Sequence, residues 1–171
     1  MIQCSASKRT WQMTIKAEQP DPRKIMEIVM TRDFAAQSMG ISINSVSEGT
    51  ASLSMKVRRD MLNGLAICHG GFIFALADTA FAYACNSRNR KTVALQCTIS
   101  FVKSAVEGDT LTARAEEVSL KGRTGLYDIT ISNQHNETLA HFRGTSYGTS
   151  GHTVSEEDLA NFKETAASNS D

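Results

Sequence analysis

The chain has 171 residues, of which 41% are apolar and 21% are charged, a composition typical of a folded globular domain. Eighteen Lys and Arg residues balance eighteen Asp and Glu residues, so no net charge favours nucleic acid or an anionic membrane as a partner, although a local basic patch could still bind a phosphate-bearing ligand. No apolar run approaches the roughly 18 residues of a membrane-spanning helix. We therefore expect one domain that binds neither nucleic acid nor membrane.

The cysteines and histidines lack the spacing of a metal site or a disulfide framework. No C-x-x-C pair is present, and the histidines are scattered along the chain. Reduced thiols in a cytoplasmic protein fit this pattern best, and no metal is expected. The residues concerned are Cys4, Cys68, Cys85, Cys97, His69, His135, His141 and His152.

The N-terminal segment is predicted to be a disordered tail over residues 1–23. Residues 1–17 contain no acidic side chain and carry Lys8, Arg9 and Lys16, a composition that organellar transit peptides share. A disordered cytosolic tail is the preferred interpretation.

The next segments alternate between helical and strand periodicity. Residues 24–40 have apolar residues at helical spacing, and Gly40 is a plausible stop. Residues 41–58 switch to period two, with a hairpin turn at Glu48-Gly49. An apolar helix is predicted to follow at 69–87. Four strand-like runs separated by turn-forming residues come next, at 92–103, 109–120, 124–134 and 138–148.

The C-terminal residues 151–171 form a polar extension in which Ser155 is placed to cap a short helix at 154–165. Within residues 24–150 the order is helix, two strands, one long helix and four strands. Because the long helix is apolar almost all round, it must be covered on most sides. A single curved antiparallel sheet wrapped around it would do this, so the predicted fold class is α+β.

The long helix contains one carboxylate, Asp78, in the most apolar stretch of the chain. A buried acid is either paired, for example with the Thr79 hydroxyl or an arginine, or it has the raised pKa used in catalysis. The pair Gly70-Gly71 begins the helix and leaves the N–H groups of its first turn uncovered at the positive end of the helix dipole. These groups could polarise a carbonyl, or the glycines could merely allow a tight entry into the helix.

Helix geometry makes a sharper prediction about these two features. Asp78 follows Gly70 by eight residues, which is about 12 Å at 1.5 Å per residue. One reactive carbon cannot touch both, because a reacting group must lie within about 3–3.5 Å of it. Two such helices that lie antiparallel across a two-fold axis could bring Gly70 of one chain beside Asp78 of the other. If both residues act, the site is shared and the protein is at least a dimer.

The segment "MLNGLAICHGGFIFALADTAFAYACNS" closely resembles the signature of hotdog-fold acyl-CoA thioesterases of the phenylacetic-acid-degradation (PaaI) type. The likeness covers roughly residues 30–150 and includes "CTISFVKSAVEGDTLTARA", "GRTGLYDITISN" and "LAHFRGTSY". It implies a curved sheet around one helix, and a homodimer or a dimer of dimers. It also implies hydrolysis of aromatic acyl-CoA thioesters such as phenylacetyl-CoA and its ring-hydroxylated relatives in phenylacetate catabolism, with no cofactor beyond the coenzyme A of the substrate.

Site residues follow from the resemblance one position at a time. Asp78 resembles the catalytic carboxylate, as nucleophile or as general base, and Gly70 the residue whose N–H polarises the thioester carbonyl. Asn63 resembles the residue that holds the carboxylate or the attacking water, and His69 one that orients the thioester. Leu95 and Gln96 stand where relatives can carry a small hydroxyl residue, so none is assigned. Weaker candidates for support or for binding substrate and its phosphates are Gly71, Thr79, Asn86, Arg88, Arg90 and Arg143.

Alternative functions stay open on the sequence alone. The same fold serves thioesterases for medium-chain or long-chain fatty acyl-CoA, and a non-catalytic acyl-CoA binding protein would also fit. Asp78 speaks against a pure binding protein, which has no use for a buried charge. A nucleophilic pair of Cys68 and His69 is less favoured, because side chains adjacent in a loop seldom point at each other.

Overall fold

The computed structural model describes residues 19–168. The elements in chain order, including a short 3-10 helix before α3, are α1 (Pro22–Met30), α2 (Phe34–Met39), β1 (Ser42–Ser47), β2 (Thr50–Lys56), the 3-10 helix (Arg59–Met61), α3 (Gly70–Asn86), β3 (Thr92–Phe101), β4 (Thr110–Lys121), β5 (Thr124–Ser132), β6 (Thr138–Gly148) and α4 (Glu156–Ser168). None of the helices in this part of the chain is long and apolar enough to cross a membrane.

The six strands form one antiparallel sheet in the order β1-β2-β4-β5-β6-β3. Helix α3 packs against all six strands, so the curved sheet wraps around it. The predicted α+β hotdog fold is confirmed, and the predicted strands match the observed ones to within two residues at nearly every end. Strands β1 and β3 are the two edges of this sheet.

The core of the domain lies between α3 and the concave face of the sheet. Aromatic rings meet there: the Phe81 ring lies 5.4 Å from that of Tyr127 and 6.0 Å from that of Phe142. A Cβ at Gly144 on β6 would come within 2.9 Å of the Phe81 ring, so only glycine fits opposite it. Burial of each large side chain stabilises the fold by about 1.5–3 kcal/mol. The buried residues of α3 recur at helical spacing and are Ile73, Leu76, Ala77, Ala80, Phe81, Tyr83, Ala84 and Cys85.

The single helix predicted at 24–40 is wrong, because the chain forms α1 and α2 with a break between them. The carboxylate of Asp33 accepts a hydrogen bond from the backbone N–H of Ala36 at 3.0 Å and begins a new helix there. An N-cap of this kind stabilises a helix start by about 1 kcal/mol. This favours a new helix at Phe34 over one continuous helix, although the apolar period continues through the break. Helix α1 begins at Pro22 with Asp21 as its cap, inside the predicted tail; residues 1–18 of that tail lie outside the described residues.

The C-terminal extension packs against the domain. The Ser155 hydroxyl accepts from the N–H of Asp158 at 3.0 Å, as expected of the predicted cap, and α4 follows. Val154 is buried, and both of its backbone polar groups bond to the side chain of Asn89, at 2.8 and 3.1 Å. Arg32 on α1 reaches the carboxylate of Asp158 at 3.3 Å. The extension therefore contacts both the end of α1, through Arg32, and the turn between α3 and β3, through Asn89.

Candidate active site

Asp78 lies in the middle of α3 with a half-buried side chain. Burial raises the pKa of its carboxyl group, and a hydrogen bond from the Cys97 thiol, with Sγ 3.7 Å from Oδ1, partly offsets that rise. The Thr79 hydroxyl donates to the carbonyl of Ala75 at 2.8 Å and is not a partner of Asp78. Within residues 19–168, no arginine or lysine forms an ion pair with Asp78. The carboxylate therefore lacks the compensating cation of a structural buried acid.

The first turn of α3 is capped by a histidine rather than by the usual small polar residue. His69 Nδ1 accepts a hydrogen bond from the N–H of Gly71 at 3.0 Å, which places the ring proton of the neutral imidazole on Nε2. The N–H of Gly71 is thus already engaged. For the N–H of Gly70, no acceptor is found in the described part of the chain, and this group is free to polarise a carbonyl.

A second reason for glycine at position 70 is the aromatic ring of Phe101. A Cβ at Gly70 would lie 2.9 Å from Cζ of that ring, closer than real side chains approach. The glycine therefore allows the close packing of β3 on the helix start.

Asn63 holds the loop that leads into α3. Its Oδ1 accepts hydrogen bonds from the N–H groups of Leu65 at 2.8 Å and Ile67 at 3.4 Å. These two bonds fix the orientation of the amide, since only the oxygen can accept. Its Nδ2 has no acceptor among the described residues and remains able to donate to a substrate or a water.

A cleft of about 370 Å³ brings Asn63 and Gly70 together. Asp78 does not line it, in agreement with the predicted separation of about 12 Å along the helix. Asn63 and Gly70 therefore meet at the start of α3, and Asp78 lies about two turns further along the helix, outside this cleft. The cleft is otherwise lined by Ile67, Cys68, Ile73, Phe101, Val102, Lys103 and Ser104.

Two of the three arginines suggested for substrate phosphates are neutralised within the chain. Arg88 lies 2.7 Å from the Glu117 carboxylate and 3.4 Å from that of Glu48. Arg143 forms two hydrogen bonds of 2.6 Å with Asp128. These interactions give both arginines a structural role, and the sequence could not reveal partners that lie on other strands.

Arg90 is different, because no carboxylate of the described residues pairs with it. Its Nη1 donates to the Gly122 carbonyl at 2.8 Å, and its guanidinium is so close to Gly148 that a Cβ there would lie 2.6 Å from it. Arg123 reaches the carbonyl of the same Gly148 at 2.7 Å. Two guanidinium groups thus converge on one glycine.

Of the weaker candidates, Asn86 binds the backbone of Thr92 at 2.9 and 3.0 Å and has a structural role.

A pair of Cys68 and His69 is not formed. The Cys68 thiol donates to the backbone carbonyl of His69 rather than to its ring, at 3.7 Å, and burial raises the pKa of that thiol. A thiol that stays protonated is a poor nucleophile.

No cluster of potential metal ligands occurs among residues 19–168. Sequence reasoning missed Cys97 and Phe101, because both meet α3 only through the sheet.

Comparison with known proteins places this geometry in a family. Residues 65–140 match the model of the thioesterase superfamily. Acyl-coenzyme A thioesterase PaaI of Escherichia coli is 50% identical over 119 residues, which cover 70% of this chain and 85% of that protein. The chain belongs to the thioesterase superfamily.

Two solved structures of thioesterase-type proteins agree with the fold of this one. The E. coli PaaI structure has a TM-score of 0.73 at 45% identity and covers 77% of this chain and 98% of its own. A hypothetical thioesterase of Streptococcus pneumoniae, solved with coenzyme A, has a TM-score of 0.69 at 26% identity and covers 72% and 98%. As a member of this superfamily, the protein is a thioester hydrolase.

Proposed function

We propose that this protein is an acyl-CoA thioesterase that hydrolyses phenylacetyl-CoA and ring-hydroxylated phenylacetyl-CoAs in phenylacetate catabolism. The observation that carries the proposal is Asp78, a half-buried carboxylate with a raised pKa that pairs with no cation of residues 19–168. It lies on the helix that begins with the open N–H of Gly70. The kinship with E. coli PaaI, whose gene lies in a phenylacetic acid degradation operon, supports the aromatic acyl group. The streptococcal relative solved with coenzyme A supports the thiol half of the substrate.

The chemistry begins with polarisation of the thioester carbonyl. Its oxygen accepts the N–H of Gly70 at the positive end of the α3 dipole, which makes the carbon more electrophilic. In one route Asp78 attacks that carbon, which releases the CoA thiolate and leaves a mixed anhydride that water hydrolyses to the free acid and the Asp78 carboxylate. In the other, Asp78 takes a proton from a water whose oxygen attacks the carbon, and the tetrahedral intermediate expels the CoA thiolate to give the acid. We assign to Asn63 Nδ2, which has no acceptor among the described residues, the role of holding that water or the carboxylate. Neither route uses a metal or another cofactor.

The active site is formed by two chains of a homodimer, alone or within a dimer of dimers. The 12 Å between Gly70 and Asp78 requires this if both act on one carbon. Strand β3 supports it, because it is an edge strand with exposed apolar side chains: Val93 is 45% and Leu95 is 60% exposed. An unprotected apolar edge of this kind is suited to pairing with a second copy.

Arg90 is the residue we assign to the phosphates of coenzyme A, with Arg123 beside it. An arginine without a carboxylate partner can bind a phosphate bidentately, whereas Arg88 and Arg143 would first have to leave Glu117 and Asp128.

Release of free thiol from a panel of acyl-CoAs tests the function directly. Phenylacetyl-CoA and its hydroxylated analogues are compared with hexanoyl-CoA and decanoyl-CoA at equal concentrations. We expect the highest kcat/KM for the aromatic substrates. A preference for the fatty acyl-CoAs would replace the aromatic assignment, and binding without thiol release would make the protein a non-catalytic acyl-CoA carrier.

A further inference from the structure

Strand β3 contains a bulge beside Asp78. Ala94 pairs with Ser146 and Gln96 pairs with Thr145 on β6, so Leu95 is an extra residue on β3. A bulge changes which side chains of the following residues face the core. Beyond it, Thr98 and Ser100 line a groove on the outer face of the sheet. Cys97 faces α3 instead, and its Sγ lies 3.7 Å from Oδ1 of Asp78.

We propose that Cys97 is a positioning residue for the reaction. Its thiol orients the Asp78 carboxylate by donating a weak S–H···O hydrogen bond to it. The inference rests on the proposed function, in which Asp78 is the reacting carboxylate. Among residues 19–168, Cys97 provides the hydrogen bond that the Asp78 side chain accepts. The choice of a thiol here therefore decides how firmly the carboxylate is held.

The groups around Asp78 keep Cys97 in its donor form. Burial and the Asp78 carboxylate raise the pKa of the Cys97 thiol to about 11. The other titratable group near Asp78 in the described chain is Cys85, further along α3, whose pKa burial raises to about 12. Both thiols therefore stay protonated near neutral pH, whereas Asp78 is an acid whose pKa burial raises above its usual value. A protonated Cys97 donates and does not compete as a nucleophile.

A weak donor suits a carboxylate that must react. Strong hydrogen bonds to a carboxylate stabilise its charged form and lower its pKa, which makes it a weaker base and a weaker nucleophile. A thiol is a weaker donor than a hydroxyl. Cys97 thus orients the Asp78 carboxylate while the pKa of that group stays above its usual value.

Two substitutions at Cys97 change the strength of the donor in opposite directions. Cys97→Val removes the donor while keeping an apolar side chain only slightly larger than the thiol, and Cys97→Ser supplies a stronger donor. The pKa of Asp78 is followed by NMR titration of its carboxyl carbon in the full-length protein, with Asp78→Asn used to assign the signal. We expect the titration of Asp78 to move to higher pH in Cys97→Val and to lower pH in Cys97→Ser.

The acid limb of kcat/KM for phenylacetyl-CoA should move in the same two directions. At its pH optimum, Cys97→Val should lose about fivefold in kcat, which corresponds to one net hydrogen bond. Cys97→Ser, measured at the pH optimum of that variant, should have a kcat close to that of the wild type. A residue that merely packs would change neither titration, and the conservative serine would have no distinct effect.

Cys85→Ser is the matched control, since it exchanges a thiol near Asp78 that bonds to the Ala82 carbonyl instead. Its Asp78 titration should match that of the wild type. An unchanged Asp78 titration in both Cys97 variants would overturn the proposal, as would shifts of equal sign. The NMR titration does not depend on turnover, so a failure of the proposed acyl-CoA activity would be recognised separately, as absent thiol release in the wild type.

Discussion

At the scale of single residues, Asp78 combines a position that costs stability with a chemistry that needs that position. Its side chain is half-buried on an apolar helix, receives one weak hydrogen bond and faces no cation of the described chain. Asp78→Asn is nearly isosteric and removes the nucleophile or base. We expect kcat for phenylacetyl-CoA to fall about 10²–10⁴-fold, as is typical when an acid-base group is deleted.

Steady-state thiol release measures this loss, and Asp128→Asn on the exposed Arg143 pair is the matched control, with near wild-type activity expected. If purified Asp78→Asn hydrolysed phenylacetyl-CoA within a few-fold of wild type, the assignment of Asp78 would be wrong.

The same substitution should make the protein more stable at neutral pH. Because burial raises the folded-state pKa of Asp78 above its unfolded value, the folded state binds the proton more tightly. The resulting loss of stability grows as pH rises through the folded pKa and is complete above it. Asp78→Asn removes this penalty, and each kcal/mol regained raises Tm by about 2–4 °C in a domain of this size.

Thermal unfolding of both proteins between pH 4 and 8 checks the sign. The advantage of Asp78→Asn should shrink as pH falls toward 3.8, the ordinary value for Asp. A variant less stable than wild type at pH 7 would show that the carboxylate has a stabilising partner.

The roles of the amide oxygen and the amide nitrogen of Asn63 can be distinguished by mutation. Asn63→Asp keeps an oxygen for the N–H groups of Leu65 and Ile67 but removes the Nδ2 donor. We expect Tm to stay close to wild type while kcat falls about tenfold, equivalent to the loss of a hydrogen bond of about 1.4 kcal/mol. Asn63→Ala should lower both quantities. Equal kcat for Asn63→Asp and wild type would limit this residue to bracing the loop.

At the scale of elements, the turn between α3 and β3 connects the helix that carries Asp78 to the strand that carries Cys97. Asn89 in this turn has a left-handed backbone with φ of 54° and binds both polar backbone groups of Val154. The C-terminal extension thereby holds the start of β3 in place.

Asn89→Gly preserves the backbone conformation but leaves two buried groups of Val154 without partners. Because each unsatisfied group costs about 1–3 kcal/mol, we expect the free energy of unfolding to fall by about 2–4 kcal/mol in urea titrations. Asn136→Gly is the control, since Asn136 is also left-handed, with φ of 59°, but is exposed. A loss no larger than that of Asn136→Gly would show that the extension does not stabilise the turn.

Element boundaries were predictable wherever the signals were local. Alternating apolar residues and turn residues such as Glu48-Gly49 set the strands, and both depend only on neighbours in the chain. The break between α1 and α2 was missed because the cap at Asp33 competes with an apolar period that continues through it. One continuous helix and two capped helices differ there by only about 1 kcal/mol in free energy, and the pattern of apolar residues does not distinguish them.

The contacts of the candidate residues were less predictable than their positions in the fold. Asp78, Gly70 and Asn63 were proposed as site residues from burial, helix-start geometry and a family resemblance, and their roles stay predictions. The Cys97 contact depends on the bulge at Leu95, and the pairing of Arg88 depends on Glu117, which lies on another strand. Such contacts join elements far apart in sequence, so they become visible only once the sheet is assembled.

At the scale of the whole molecule, Gly70 and Asp78, which we propose act on one carbonyl, lie about 12 Å apart along α3. Gly70→Pro removes the N–H proposed to polarise the carbonyl and is tolerated best at the first helical position, which Gly70 occupies. Because any Cβ at this position meets the Phe101 ring, Gly70→Ala is the matched control: it has the same contact but keeps the N–H. We expect Gly70→Ala to retain far more activity than Gly70→Pro.

A mixed dimer decides whether the halves come from different chains. One chain carries Gly70→Pro and the other carries Asp78→Asn, and the heterodimer is purified through two different tags. If each site takes its N–H from one chain and its carboxylate from the other, one site has both lesions and the second has neither. The heterodimer should then show about half of the wild-type rate per dimer, although each homodimer is nearly inactive. A well-folded heterodimer, checked by circular dichroism, that stays as inactive as its parents would place both groups in one chain and rule out the shared site.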